Sequence, residues 1–214
     1  MSIAREGWPV IAAAAGVLGA VAVVGTLAGH PAAALPLVPG VGFFVWFFRD
    51  PERTPPPGER VLVSPADGRV IDVVPGHEDR FLAAPATRIS IFMSPLDVHV
   101  NRAPLTATVE RVEHTPGRFR AAFHDKSSLD NERNAVVFRH GTRRYVMVQI
   151  AGALARRIVC RVAPGDALAR GGRFGLIMFG SRMDLFVPAD VQPLVRAGDR
   201  VRAGLTPVAE EPPA

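Results

Sequence analysis

The sequence predicts a mainly β domain, a sandwich or barrel, preceded by an apolar helical N-terminal segment of membrane type. Three observations predict it. Trp8 to Gly29 is an uncharged, mostly apolar run. From about residue 60 onward, short β-branched or alternating runs recur between turn dipeptides, and no long stretch keeps a 3.6-residue period. The pattern G-D-x-apolar-x-x-G occurs twice, at Gly165–Gly171 and Gly198–Gly204, each copy preceded by a β run. A Gly-Asp turn feeding a strand that ends in glycine reads as a repeated corner of a pseudo-symmetric β architecture.

The N-terminal run is 22 residues long, about 33 Å as a helix, which matches one hydrocarbon core. His30-Pro31 breaks it. A second apolar stretch, Ala32 to Phe48, ends in the aromatic cluster Phe43-Phe44-Val45-Trp46-Phe47-Phe48, and Pro36 and Pro39 keep its helical part short. Arg5 precedes the pair, while Arg49 and Arg53 follow it. The positive-inside rule therefore puts both ends in the cytoplasm, with a hairpin dipping into the bilayer at the cytoplasmic face of the cell membrane. A cleaved signal peptide would also begin with a basic residue before an apolar core. This core exceeds the usual ~7–15 residues, and the second apolar stretch would survive cleavage.

Thr54-Pro55-Pro56-Pro57-Gly58 is a stiff, turn-rich linker. The boundary falls near residue 50, with a membrane-associated hairpin at 1–50 and a second domain at 51–214. Within the latter, strand-like runs span Arg69–Val74, Arg88–Met93, Thr106–Val112, Ala135–Arg139, Tyr145–Ile150 and Ile158–Val162. Asp67-Gly68, Pro116-Gly117, Gly141-Thr142 and Pro164-Gly165 supply the turns between them. Twenty glycines and twenty prolines suit many short strands joined by tight turns.

Composition excludes several classes. With 48% hydrophobic and 21% charged residues, the chain is not intrinsically disordered. A single cysteine, Cys160, leaves no disulfide framework and no Cys-based zinc cluster. Among 25 basic residues Lys126 is the one lysine, so pyridoxal-phosphate chemistry would rest on that residue alone. The net charge of +5 lies wholly beyond residue 48, which suits a domain drawn to anionic lipid. The arginines are scattered and no basic-aromatic interleaving appears outside the apolar segment, so nucleic acid is not an expected partner.

Four local patterns could carry chemistry. Ser64-Pro65-Ala66-Asp67-Gly68 puts a carboxylate at a tight turn before a strand, which is also an ordinary Asp-Gly hairpin turn. In Ser94-Pro95-Leu96-Asp97-Val98-His99-Val100-Asn101-Arg102, a strand would place Asp97, His99 and Asn101 on one face. His99 is a usable acid or base because its ordinary pKa is near 6.5. Asp125-Lys126 resembles the turn of lipoyl carriers, although it lies in a polar loop. Phe179-Gly180-Ser181-Arg182 puts a serine between glycine and arginine at the end of an apolar strand, and a structural turn would explain it equally well. A cell-wall zinc peptidase would need paired metal histidines, including an H-x-H, and the sequence has none.

The segments RDPERTPP (49–56), SPADG (64–68), FMSPLDVHVNRAP (92–104), DNERN (130–134) and RFGLIMFGSRMDLFVP (173–188), in that order, resemble the phosphatidylserine decarboxylase family in its shorter form, shared with related archaeal-type enzymes. The resemblance covers about residues 45–210. It implies a self-processing proenzyme with a protein-derived pyruvoyl cofactor and neither pyridoxal phosphate nor metal. Cleavage between Gly180 and Ser181 would give a β chain of residues 1–180 and an α chain of 181–214 that stay together. Ser181 would become the pyruvoyl group and condense with the serine amine of phosphatidylserine, which loses CO2 to give phosphatidylethanolamine. His99 is the implied base, with Asp67 orienting or charging it. Some longer members carry a second histidine three residues after the match to His99, and here that position is Arg102. Either His99 serves both cleavage and decarboxylation, or Arg102 marks a changed division of labour. Arg102 is a candidate for the substrate phosphate and equally a plain surface arginine. Two other readings stand beside this one: a decarboxylase of an archaeal-type ether-linked serine phospholipid, and a membrane-tethered lipoyl- or biotinyl-like carrier modified at Lys126. A homo-oligomer is left open.

Overall fold

A computed structural model describes residues 2–117, 131–152, 157–178 and 180–213. Lys126 lies outside the described residues. The chain divides into two compact units, Met1–Glu52 and Arg53–Ala214.

The first unit contains β1 (Ser2–Ile3), α1 (Gly7–Leu27), a 3-10 turn (Pro31–Ala34), α2 (Leu37–Phe47) and β2 (Arg49–Asp50). Pro39 sits in the first turn of α2, where its missing N–H costs nothing. Glycines bring α1 close to α2 and to the 3-10 turn: a Cβ on Gly40 would fall 2.6 Å from Leu18, and one on Gly25 would fall 2.3 Å from Ala33 of the turn. α1 is long and apolar enough to cross a membrane. Val17, Val21, Val23, Val24 and Leu27 stand exposed along it. In water that surface would be costly, and in lipid it is the favoured exterior.

The second unit is mostly strand, and the predicted β class is what the structure shows. Its elements are β3 (Val61–Val63), β4 (Gly68–Glu78), β5 (Ala84–Met93), β6 (Val100–Arg102), β7 (Ala107–Thr115), β8 (Arg133–His140), β9 (Arg143–Ile150) and β10 (Ile158–Cys160). After these come β11 (Ala167–Leu168), β12 (Arg173–Ile177), β13 (Ser181–Pro188), β14 (Gln192–Pro193), β15 (Arg200–Val201) and β16 (Pro207–Glu210). An eight-stranded antiparallel sheet, ordered β11-β7-β8-β9-β13-β5-β4-β15, curls into half a barrel. Two three-stranded sheets, β10-β12-β6 and β14-β16-β3, complete the unit. The core lies on the sheet face that carries Ile89, Ile91, Val136, Phe138, Tyr145, Met147, Leu185 and Val187.

The two Gly-Asp corners occupy opposite edges of the large sheet, since β11 pairs with β7 and β15 with β4. They are built alike. Asp166 Oδ2 accepts the Ala163 N–H at 2.8 Å, and Asp199 Oδ2 accepts the Arg196 N–H at 3.0 Å. Gly165 and Gly198 have φ near +97° and +98°, and the closing Gly171 and Gly204 have +75° and +74°, all in a region that strongly favours glycine.

Candidate functional site

The chain enters β13 through Gly180, whose φ is +59°. A Cβ at that position would meet nothing within 4 Å, so backbone conformation rather than crowding selects glycine there. Ser181 follows as the first residue of β13 and is fully buried. Strand alternation turns Ser181 to the core side with Met183, Leu185 and Val187, and turns Arg182, Asp184 and Phe186 to the other side.

On the core side Ser181 lies opposite Met93 of β5. Its hydroxyl donates to the Met93 sulfur at 3.6 Å, its one side-chain hydrogen bond among the described residues. A thioether is a weak acceptor, so the hydroxyl is oriented without being strongly held. The same sulfur accepts Asn101 Nδ2 at 3.8 Å. Asn101 Oδ1 in turn accepts Gln149 Nε2 at 2.9 Å, and Gln149 Oε1 accepts Asn134 Nδ2 at 2.9 Å. All of these side chains are buried.

His99 reaches the same region from the neighbouring turn. Asp97 Oδ2 accepts both the N–H and the hydroxyl of Ser94, at 2.9 and 2.8 Å, which closes the Ser94–Asp97 turn. The expected single strand face of Asp97, His99 and Asn101 is therefore not formed. Asp97 satisfies the turn, and β6 begins only at Val100. His99 is fully buried, with Nδ1 3.0 Å from the Asp97 carbonyl oxygen. A carbonyl only accepts, so Nδ1 carries the proton and the neutral ring has its basic lone pair on Nε2. The His99 carbonyl accepts the Ile177 N–H at 3.3 Å, which fastens His99 to the strand leading into Gly180 and Ser181.

Asp67 is bound elsewhere. Arg53 grips its carboxylate with both terminal nitrogens, the NH2–Oδ2 distance being 2.8 Å, and the Ala203 N–H donates to Oδ1 at 2.7 Å. Neither carboxylate oxygen bonds His99, because a fork of charge-assisted bonds from Arg53 takes them first. Gly68 follows at φ +150°, where a Cβ would lie 2.0 Å from the Phe92 carbonyl oxygen. Only glycine lets this turn sit so close to β5.

Arg102 is 2% exposed, and so is no surface residue. Its NH1 donates to the Gly171 carbonyl at 2.9 Å, and a Cβ on Gly204 would come 3.0 Å from its Cδ. The closing glycines of the two Gly-Asp corners thus meet around this one side chain.

The far side of β13 is ionic. Arg182 Nε lies 2.6 Å from Asp184 Oδ1, and its NH2 donates to Ser90 Oγ at 2.8 Å. Arg88 reaches Asp72 at 3.1 Å. Burial pushes the Asp184 carboxyl above its ordinary pKa, and the Arg182 charge opposes that rise. This face opens on a cleft of about 310 Å³ lined by Arg88, Arg133, Val148, Asp184 and Phe186. Among the described residues no three His, Cys, Asp or Glu side chains gather as metal ligands do.

Sequence reasoning missed Arg53, the Asn134–Gln149–Asn101 chain and the Arg182–Asp184 pair. A signal existed for the amides: Asn134 and Gln149 fall in the core-facing phase of otherwise apolar strands. No comparable signal exists for Arg53, whose partner is fixed only by the fold.

The sequence matches the family described as phosphatidylserine decarboxylase over residues 41–209. Relatives named phosphatidylserine decarboxylase proenzyme include that of Syntrophus aciditrophicus, 45% identical over 96% of this chain and 96% of the relative. That of Symbiobacterium thermophilum is 47% identical over 98% and 96% of the two chains, and that of Ralstonia nicotianae is 46% identical over 97% and 95%.

Proposed function

The chain belongs to the phosphatidylserine decarboxylase family, and on that premise we propose that it is a precursor which cuts itself at Gly180–Ser181 and then decarboxylates phosphatidylserine to phosphatidylethanolamine. One observation carries the reading: a buried serine hydroxyl, which among the described residues is held by a weak acceptor, directly follows a glycine in a left-handed conformation.

In the first step the Ser181 oxygen adds to the Gly180 carbonyl carbon and the peptide nitrogen leaves, giving an ester. Loss of the Ser181 α-proton then expels the Gly180 carboxylate. Tautomerisation and addition of water release ammonia and leave a pyruvoyl group at 181. The surroundings fit such a group, because its core-side neighbours are uncharged amides and a thioether. When formed, the group supplies an electron sink for the pair left behind by departing CO2.

The chain's own residues do the rest. His99 Nε2 is the basic nitrogen for the hydroxyl proton and later the donor that returns one to carbon. Asp67 acts through Arg53 and Ala203, fixing the turn that carries Gly68 against β5. Arg102 holds the two Gly-Asp corners together rather than reaching for lipid phosphate. Residues 1–50 tether the domain 51–214 to the cytoplasmic face of the membrane, where its positive charge favours an anionic lipid substrate.

The mass of the purified protein tests this. Two polypeptides are expected, the smaller spanning 181–214 and lighter than a serine-started chain by one ammonia. Ser181→Ala should stay full-length. A single uncut chain that nevertheless decarboxylates phosphatidylserine would overturn the reading.

A further inference from the structure

Ser181 sits at the end of a line of buried, uncharged hydrogen-bonding groups that starts on β8, two strands away in the sheet. Asn134 on β8 donates to Gln149 on β9 at 2.9 Å, and Gln149 donates to Asn101 on β6 at 2.9 Å. Asn101 donates to the Met93 sulfur on β5 at 3.8 Å, the atom that accepts the Ser181 hydroxyl at 3.6 Å. The three amide bonds run in one sense, each donating toward the Met93 sulfur, which accepts from Asn101 on one side and from the Ser181 hydroxyl on the other. Gln149 cannot reverse, because Nε2 also donates to the Val159 carbonyl at 3.3 Å. With both N–H groups committed to oxygens, the orientation of Gln149 is fixed, and that of Asn101 follows.

The backbone makes room for this arrangement. Gly175 on β12 lies opposite Cys160 and Asn101, at a register shift in the β12–β6 pairing. A Cβ there would come 2.4 Å from the Val159 carbonyl oxygen and 2.8 Å from Gln149 Nε2. Burying three amides inside an apolar core costs free energy unless each is satisfied. An apolar core would be the cheaper solution if packing were the only demand on these positions.

Resting on the self-cleavage reading above, we infer that Asn134, Gln149, Asn101 and Met93 are positioning residues for the Ser181 hydroxyl. The amides pin the Met93 sulfur, and the sulfur selects the Ser181 rotamer from which the oxygen adds to the Gly180 carbonyl. A sulfur acceptor suits this task. It biases the hydroxyl toward one orientation, yet surrenders the proton to a base at small cost, because an S···H–O bond is weaker than a bond to oxygen. A carboxylate in its place would hold the proton and set a charge in the core.

The test follows conversion of the full-length precursor to its two chains over time. The variants are Met93→Leu and Gln149→Met, which keep volume while removing the acceptor and the amide. Hydroxylamine is added in a parallel arm, since it cuts the ester and so reports the first step alone. Each single variant should slow both readouts about tenfold, with the pH dependence of the rate keeping its shape because the base is untouched. The double variant should be no slower than the slower single, since both break one chain, whereas independent packing damage would multiply. Wild-type rates in both singles, or multiplied losses in the double, would overturn the positioning role and leave self-cleavage standing. If Gln149→Met does not fold, the Met93→Leu rate alone decides the matter. An uncut wild-type chain would instead sink the self-cleavage reading itself.

Discussion

β13 carries two unlike surfaces on one strand. Toward the core, Ser181 meets a thioether and a line of amides, all neutral. Toward the other side, Arg182 and Asp184 form a buried ion pair tied to Ser90. One residue of backbone separates them. The contrast shows how a domain with net positive charge keeps the Ser181 hydroxyl in uncharged company. The charges adjacent in sequence are turned away by strand alternation and neutralised by each other. The ionic face bears on whether the strand stays in register, and the neutral face bears on the proposed cleavage at its head.

That division can be broken at either surface. The largest stability effect is expected from Arg182→Met, which strands Asp184 in the interior and should cost about 3–5 kcal/mol in denaturant unfolding. Arg182→Met combined with Asp184→Leu should recover most of that loss, because neither charge is then left alone. Gly175→Ala strikes the neutral face. Its Cβ would crowd the Val159 carbonyl and Gln149, costing about 1–3 kcal/mol while slowing chain cleavage by more than Arg182→Met does. If Arg182→Met slowed cleavage at matched stability more than Gly175→Ala, the two faces would not divide the work as described.

The smallest effect concerns the alkaline limit. Tyr145 is the single tyrosine of the chain. Burial, followed by its bond to Glu211, raises its phenol far above the ordinary value of 10.0. The folded chain therefore keeps this proton while the unfolded chain releases it near pH 10. The stability it contributes is complete below pH 10 and is lost as pH rises beyond it. Phenolate absorbance should stay flat through pH 10 in the native protein and rise only as the chain unfolds. A reversible phenolate step near pH 10 in the folded protein would contradict the burial described.

Much of this was legible in the sequence, for identifiable reasons. Strands β4, β5, β7, β8 and β9 follow runs whose alternation or β-branching is local. The Gly-Asp corners were visible because a left-handed glycine is a requirement of sequence as much as of fold. Gly180 and Ser181 were singled out by the family resemblance, since their position at the end of an apolar run suits a structural turn equally well. The partner of Asp67 was not, since Arg53 lies just before the linker and reaches it only after folding. Asp97 and His99 were expected on one strand, but a turn closed by the Asp97 carboxylate outcompetes the strand there. Asn134, Gln149 and Asn101 are ordinary amides in sequence. Their alignment depends on a register between strands that no local pattern encodes.

Under the proposed cut at Gly180–Ser181, the position of β13 has a consequence for the two chains that would result. It lies between β9 and β5, both of which come before the cut, while β15 and β16 pair with β4 and β3. A precursor folds as one molecule, but the mature form is held together as a complex of two. Once heated or denatured, it would have to reassemble by a bimolecular encounter, so its recovery would depend on concentration in a way that the uncut chain's does not. The proposed cut thus carries an order of events with it: this strand would be threaded while still tethered, and only then released.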